Sequence, residues 1–321
     1  MTKHFLKYIK IEKFKCFDNF KISGFKRVNL ISGRNNIGKT TLLEACYINM
    51  NINNEFSILQ FMYSMSIGIH LRSHIDFSPK DSYSLNIQKE FDKIKKYKSN
   101  SNLNSLTMEV ATKSFKSYYV NINGNENHFT PKEFEFNTEI GSDIKYINSK
   151  EISNESIVNS FEVIQLKDKE KDLNKYIKEF DNRIEAFKII GNKPVCKINN
   201  IYREINEFGS GLKLYIAIIT KIYSLENGAL FIDEIENGIH YSQFSKLWEL
   251  IFKISKDVNC QIFATTHSKE AIFSYNKVQN NLNDNKSTFI NLELNKDNEI
   301  IYGVLDKEML EYELEQNHEV R

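Results

Sequence analysis

A chain of 321 residues with 41% apolar and 12% aromatic side chains is long enough to fill a sizeable core, which excludes a disordered or fibrous protein. Lys+Arg 43 against Asp+Glu 42 leave a net charge of +1, so the overall balance demands no nucleic acid, anionic membrane or other polyanion. Cys16, Cys46, Cys196 and Cys260 show no CxxC spacing and read as reduced core thiols. No stretch approaches the roughly 18 uncharged apolar residues of a spanning helix, and the N-terminus lacks an apolar leader core, so a cytoplasmic location without a membrane partner is expected.

From the N-terminus, Tyr8, Lys10 and Glu12 alternate with Ile9 and Ile11, which predicts a strand, with a turn near Asp18-Asn19. Val28-Asn29-Leu30-Ile31 is a second, compact apolar strand. It runs into Gly33-Arg34-Asn35-Asn36-Ile37-Gly38-Lys39-Thr40, a match to GxxxxGK[ST] in the strand-to-helix setting that a phosphate loop needs. Glycines allow backbone N–H groups to converge on a β-phosphate, and the following helix N-terminus adds positive potential. Lys39 is expected to bridge the β- and γ-phosphates of ATP, Thr40 to ligate Mg²⁺ and Thr41 to bond the α-phosphate. Leu42, Leu43, Cys46 and Tyr47 then continue as a helix, and a second apolar helix is expected around Phe56 to Ile69.

The middle of the chain carries less chemistry. Residues 89 to 105, rich in Lys, Asn and Ser, read as a solvated turn or loop, its lysines solubilising the surface or, alternatively, forming a DNA-contacting patch. Leu106 to Asn123 alternates at Met108/Val110 and Tyr118/Val120/Ile122 and turns at Gly124, a β-hairpin or meander. A charged helical region of mixed sign covers about 155 to 188.

Chemistry returns at Glu207-Phe208-Gly209-Ser210-Gly211, which opens a helix with apolar positions Leu212, Tyr215, Ile216, Ile219, Ile222 and Tyr223. A Ser-Gly pair at a helix start offers free N–H groups and a hydroxyl, an anion site, although the same pair also serves as a routine N-cap. Ala229-Leu230-Phe231-Ile232-Asp233-Glu234 is an apolar strand ending in two acids, which places both at the carboxyl edge of a parallel sheet, beside the loop. Asp233 is assigned to Mg²⁺ and Glu234 to the attacking water. Ser242 is expected to cap an amphipathic helix bearing Phe244, Leu247, Trp248, Ile251 and Phe252. Cys260 to Thr266 is a further strand running off into His267-Ser268 at the same sheet edge.

The ordered set of phosphate loop, Gly-Ser-Gly before a helix, strand to Asp-Glu and strand to Thr-Thr-His-Ser resembles the ABC-class ATPases, which include the SMC and RecF heads. The opening Ile11-Glu12-Lys13-Phe14-Lys15-Cys16-Phe17, the loop Gly33-Arg34-Asn35-Asn36, Asp233-Glu234-Ile235-Glu236-Asn237-Gly238-Ile239-His240 and the tail from Gly303 to Arg321 look like the overcoming-lysogenization-defect (OLD) type of bacterial AAA-family ATPase. The resemblance implies an α/β P-loop NTPase fold: an ABC-type ATPase head with a mixed central sheet, an antiparallel β subdomain and a helical insertion. It implies one domain over 1–321, with N-lobe strands and phosphate loop at 1–58, helical and β-meander insertions at 59–190, and the signature, acidic and histidine lobe at 191–321. Two heads are expected to sandwich two ATP molecules, Ser210 and Gly211 reaching the γ-phosphate in trans and His267 sensing it. Lys15 is expected near the nucleotide. Gln60 and Gln165 are equal candidates for the family's Q-loop glutamine.

Beyond His267 lie 54 residues (321 − 267) without a convincing DxD pair, so no nuclease of its own is expected, and no heptad arm is visible. The leading functional expectation is an ATP-hydrolysing switch, associating as a homodimer or larger homo-oligomer and controlling a separately encoded effector such as a nuclease or toxin in anti-phage defence. The alternative is a RecF/SMC-like repair ATPase that clamps DNA. A scaffold with negligible turnover has no use for Glu234, and the 170 residues between Lys39 and Gly209 (209 − 39) speak against a transporter subunit.

Overall fold

The computed structural model describes residues 4–51, 96–114, 117–122, 124–129, 143–150 and 152–316. The chain divides into two units, the first comprising Met1–Phe5, Gly24–Leu43 and Asp143–Arg321, the second Leu6–Ser23 and Glu44–Ser142. The alternation at the N-terminus forms β1 (Tyr8–Phe14), which pairs antiparallel with β2 (Phe17–Ser23). Their turn lies at Lys15-Cys16, not at Asp18-Asn19: Phe14 pairs with Phe17, and the buried Phe17, Phe20 and Ile22 keep the strand extended through the Asp-Asn pair. That turn also leaves Cys16 exposed, while Cys46, Cys196 and Cys260 are core thiols as expected. The next strand, β3 (Val28–Gly33), is buried at every position and leads through the glycine loop into α1 (Lys39–Met50).

In the second unit, β4 (Lys96–Ser101), β5 (Ser105–Ser114), β6 (Ser117–Ile122) and β7 (Asn125–Phe129) join the first hairpin in an antiparallel sheet of order β2-β1-β4-β5-β6-β7. The meander is therefore present, with Gly124 at φ 91° between β6 and β7. The expected loop at 89 to 105 is corrected over 96–101, which is a strand between β1 and β5. Its polar sequence is tolerated because buried Ser99 and Ser101 are bonded: Asn49 Nδ2 donates to Ser99 Oγ at 2.7 Å, and Ser101 Oγ donates to Asn49 Oδ1 at 2.8 Å. The expected helix around Phe56 to Ile69, and Gln60 with it, lie outside the described residues.

The first unit continues with β8 (Ile144–Asn148), α2 (Asn154–Leu166) and α3 (Glu170–Phe180). The charged helical region thus splits at Lys167 to Lys169, where Asp168 takes φ 54°, and it ends before β9 (Ala186–Ile190) rather than running on to 188. A small antiparallel sheet of β9, β10 (Lys193–Ile198) and β11 (Ile201–Glu204) precedes α4 (Ser210–Ser224). The remaining elements are β12 (Ala229–Asp233), α5 (Phe244–Asp257), β13 (Gln261–Thr265), α6 (Lys269–Asn281), β14 (Ser287–Leu294), β15 (Ile300–Leu305) and α7 (Lys307–Glu315). Ser242 does not cap α5. It lies inside a short 3₁₀ turn, Tyr241–Gln243, whose N-cap is His240.

The main sheet runs β15-β14-β3-β13-β12-β8, with β14, β3, β13, β12 and β8 parallel and β15 antiparallel at the edge. This is the expected α/β fold with a mixed sheet. Near-continuous apolar runs such as Leu230-Phe231-Ile232 are what a sheet covered on both faces requires. Phe231 and Phe263 stack at 4.8 Å on neighbouring strands, and Trp248 meets Tyr275 edge-on at 5.0 Å between α5 and α6. Among the described residues, no helix is long and apolar enough to cross a membrane.

Candidate functional site

Parallel register brings the chemistry-bearing residues to one edge of the main sheet. Ile31 pairs with Thr265, Ile232 with Ala264 and Asp233 with Asn148, so β3, β13, β12 and β8 end in a common row. The residues that follow each strand face the crevice where α/β sheets take ligands.

The phosphate loop leaves β3 through Gly33 at φ 148°, where an added Cβ would lie 2.6 Å from the Leu292 carbonyl oxygen. Asn36 and Gly38, at φ 62° and 104°, supply the further left-handed turns, and buried Ile37 anchors the loop between exposed Arg34, Asn35 and Asn36 and the start of α1. Lys39 Nζ donates to the carbonyls of Gly33 at 2.7 Å and Arg34 at 2.9 Å. Burial holds the Lys39 ammonium below its ordinary pKa, partly offset by the carboxylates of Glu236, Asp233 and Glu234. A desolvated cation ringed by neutral carbonyls suits a polyanion. Thr41 follows Thr40 in the first turn of α1 and is half-buried.

Asp233 ends β12. Thr40 Oγ1 donates to its Oδ1 at 3.0 Å and Thr265 Oγ1 donates to the same oxygen at 2.7 Å. Burial raises the Asp233 pKa, and the two hydroxyls pull it back only in part. The hydroxyl of Thr40 and the carboxylate of Asp233 are hard oxygen donors of the kind Mg²⁺ takes, and a cation there offsets the desolvation of the acid, so the residues fit the metal. A folded-state pKa above the unfolded value means stability is fully present below the unfolded value and is lost as the pH rises through the folded one. The charged form of Asp233 is therefore destabilising to the nucleotide-free fold, and Asp233→Asn is expected to raise the melting temperature of the nucleotide-free chain in chelator, by about 2–4 °C for each kcal/mol relieved. A lower melting temperature would show that the hydroxyl bonds outweigh the burial.

Glu234 sits at φ 52°, a conformation that costs a non-glycine residue energy and that persists where the surroundings fix it. The fixing is visible: its N–H donates to Thr265 Oγ1 at 2.8 Å, and the next residue, Ile235, donates its N–H to the Thr265 carbonyl at 3.0 Å. Lys150, two residues beyond β8, makes an ion pair with Glu234 Oε2 at 2.5 Å. His267 follows β13 and is half-exposed. Its backbone N–H and Nδ1 both reach Glu236 Oε1, at 2.9 and 2.8 Å.

Ser210 and Gly211 open α4 behind Gly209 at φ 85°, and no side chain caps this helix N-terminus. A Cβ on Gly211 would lie 2.3 Å from the Gly238 carbonyl oxygen, so only glycine lets α4 approach the segment after Glu234; Ser210 itself is exposed. Lys15 belongs to the second unit, at the β1–β2 turn with φ 49°, where Nζ meets Glu44 Oε2 at 2.6 Å. Gln165 is exposed in the last turn of α2. Sequence reading missed Lys150, Thr265 and Glu236. Thr265 and Glu236 stood inside quoted motifs without a role, and a lysine after an edge strand carries no local signal.

Comparison with known proteins bears on this geometry. Residues 135–272 match the AAA ATPase domain family. An ATP/GTP phosphatase of Helicobacter pylori is 27% identical to this chain over 319 residues, covering 82% of this chain and 85% of that protein. An SMC head bound to the C-terminal winged-helix domain of ScpA has a similar fold, with a TM-score of 0.54 at 13% identity, covering 95% of this chain and 99% of that one. The SMC head with an extended coiled coil bound to the ScpA C-terminal domain, from Pyrococcus furiosus, gives a TM-score of 0.51 at 11% identity over 98% and 99%. This chain therefore shares the fold of SMC heads.

Proposed function

We propose that the chain is a Mg²⁺-dependent ATPase of the OLD-like type that works as an associating molecular switch. The observation that carries this reading is the convergence of Lys39, Thr40, Asp233, Glu234 and His267 on one sheet edge of the first unit. Gly33 to Gly38 offer backbone N–H groups to the phosphates, with Thr41 behind them at the α-phosphate, and Lys39 exchanges its two carbonyl partners for β- and γ-phosphate oxygens. Thr40 and Asp233 would hold Mg²⁺, which supplies charge neutralisation at the γ-phosphate. Glu234 accepts the proton of the attacking water as its oxygen bonds to the γ-phosphorus and the bond to the β–γ bridging oxygen breaks, leaving ADP and phosphate. The Lys150 ammonium occupies one Glu234 oxygen, so the base has to be released or share that partner. His267 contacts the γ-phosphate. The Helicobacter pylori relative, named for ATP/GTP phosphatase activity, supports hydrolysis.

Exposed Ser210 on the uncapped N-terminus of α4 supports a composite site, in which Ser210 and Gly211 of one copy complete the ATP site of another. Hydrolysis then requires association, and the nucleotide state of a homodimer or larger homo-oligomer controls a separately encoded effector, a nuclease or toxin, in the bacterial cytoplasm during anti-phage defence. SMC heads of similar fold bind a second protein, ScpA, which supports a protein partner. Mixing two chains tests the composite site. Lys39→Ala and Ser210→Arg are each expected to be inactive alone, whereas the mixed dimer has one site with an intact loop and an intact Ser210, and recovers part of the wild-type activity. A harmless Ser210→Arg would sink the composite site and leave the phosphate loop standing.

The SMC-head fold favours one second reading, a RecF/SMC-like repair ATPase whose ATP-closed dimer clamps DNA. Salt-sensitive, ATP-dependent binding of duplex DNA by the purified chain distinguishes it from the switch.

A further inference from the structure

We propose that Glu236 is the positioning residue of His267, so that a carboxylate–imidazole pair, and not the histidine alone, reads the γ-phosphate. The inference rests on the ATPase reading above and adds a residue to it. Glu236 Oε1 accepts both the His267 backbone N–H at 2.9 Å and His267 Nδ1 at 2.8 Å, which fixes the start of the segment and the ring together. The Glu236 side chain is 11% exposed against 51% for His267, so the carboxylate is the anchored partner and the ring the accessible one. Its other oxygen, Oε2, is buried without a hydrogen-bond partner. The Glu236 backbone is itself pinned: its carbonyl accepts the Ile239 N–H at 3.1 Å, and Ile235 just before it is bonded to Thr265 at the end of β13. The same carboxylate contributes to the field at Lys39.

The chemistry follows from what each atom can do. A carboxylate only accepts, so Nδ1 carries the proton and the ring presents Nε2 outward. In the neutral ring Nε2 is an acceptor and opposes a phosphate oxygen. Only with a proton on both nitrogens does Nε2 donate to that oxygen instead. A histidine without this partner has either tautomer open to it.

A double-mutant cycle on the full chain tests this. Glu236→Gln keeps an accepting oxygen and loses the charge; kcat for ATP is expected to fall about tenfold, with the KM within about twofold, as for other second-layer partners of an imidazole. Glu236→Ala is expected to lose more. In a His267→Ala background, Glu236→Gln is expected to have no further effect on kcat. Nitrogen-15 spectra of the His267 ring are expected to show the Nδ1-protonated form in the wild type and a tautomer mixture in Glu236→Ala. An equal fall in kcat with and without His267, or a ring protonated at Nε2 alone in the wild type, overturns the proposal. Hydrolysis that survives Lys39→Ala would instead remove the ATPase site on which it rests.

Discussion

Lys39→Ala is expected to abolish ATP binding and hydrolysis while leaving the fold intact. The Lys39 ammonium is buried, and its only hydrogen bonds among the described residues are to the Gly33 and Arg34 carbonyls. Those neutral oxygens hold it in place without neutralising it, so the attraction to a triphosphate acts across a partly desolvated site. Truncating one partner of a buried charge pair costs about 2–5 kcal/mol of binding, and about 1.4 kcal/mol is tenfold in affinity. ATP binding should therefore weaken by roughly 30-fold to several thousand-fold. The carbonyls left behind can bind water, so thermal melting should change little. Tight ATP binding by the variant, measured by calorimetry, would refute the phosphate-loop assignment.

Glu234→Gln is expected to bind ATP and to hydrolyse it about 10²–10⁴-fold more slowly, the range over which a positioned base contributes. Glutamine keeps the shape of the side chain, and the backbone at φ 52° stays pinned by Thr265, so the loop after β12 should not move. What disappears is the proton acceptor. Lys150 loses its ionic partner, but the pair is partly solvated, with side chains 42% and 28% exposed, and such pairs contribute little to stability. ATP-bound chains should accordingly accumulate in the associated state, visible as a larger species by light scattering when ATP is added. Turnover at the wild-type rate would remove Glu234 as the base.

The parts of this site written in contiguous residues were legible from the sequence, and the parts made by long-range pairing were not. Gly33 to Thr40 announces itself because three constraints coincide locally: positive φ at glycines, an apolar strand before and a helix after. Asp233-Glu234 was legible only together with that loop, because a strand ending in two acids is common and says little by itself. Lys150 meets Glu234 across 84 residues (234 − 150), and Thr265 meets Asp233 across 32 (265 − 233), through strand neighbours that a sequence does not order. Asn148, Asp233 and Thr265 come into one row only once β8, β12 and β13 are known to be adjacent and in register.

The misread segments share a cause as well. The strand Lys96–Ser101 carries no apolar pattern, because its backbone pairs on both sides and its buried serines find partners in Asn49 and Asn104. The first hairpin turns at Lys15-Cys16 although Asp18-Asn19 has the stronger turn chemistry. Burial of Phe17, Phe20 and Ile22 outweighs that preference. Ser242 is a good helix cap by type, but His240 two residues earlier already caps the turn that precedes α5.

The composite site proposed above hydrolyses ATP only where a second copy of the chain completes it. Phosphate release per mole of protein, measured at saturating ATP and Mg²⁺ across about a hundredfold range of chain concentration, tests it most directly. A composite site gives a specific activity that rises with concentration to a plateau. A specific activity that is constant from the lowest concentration, in a chain that stays monomeric with ATP bound, would contradict it.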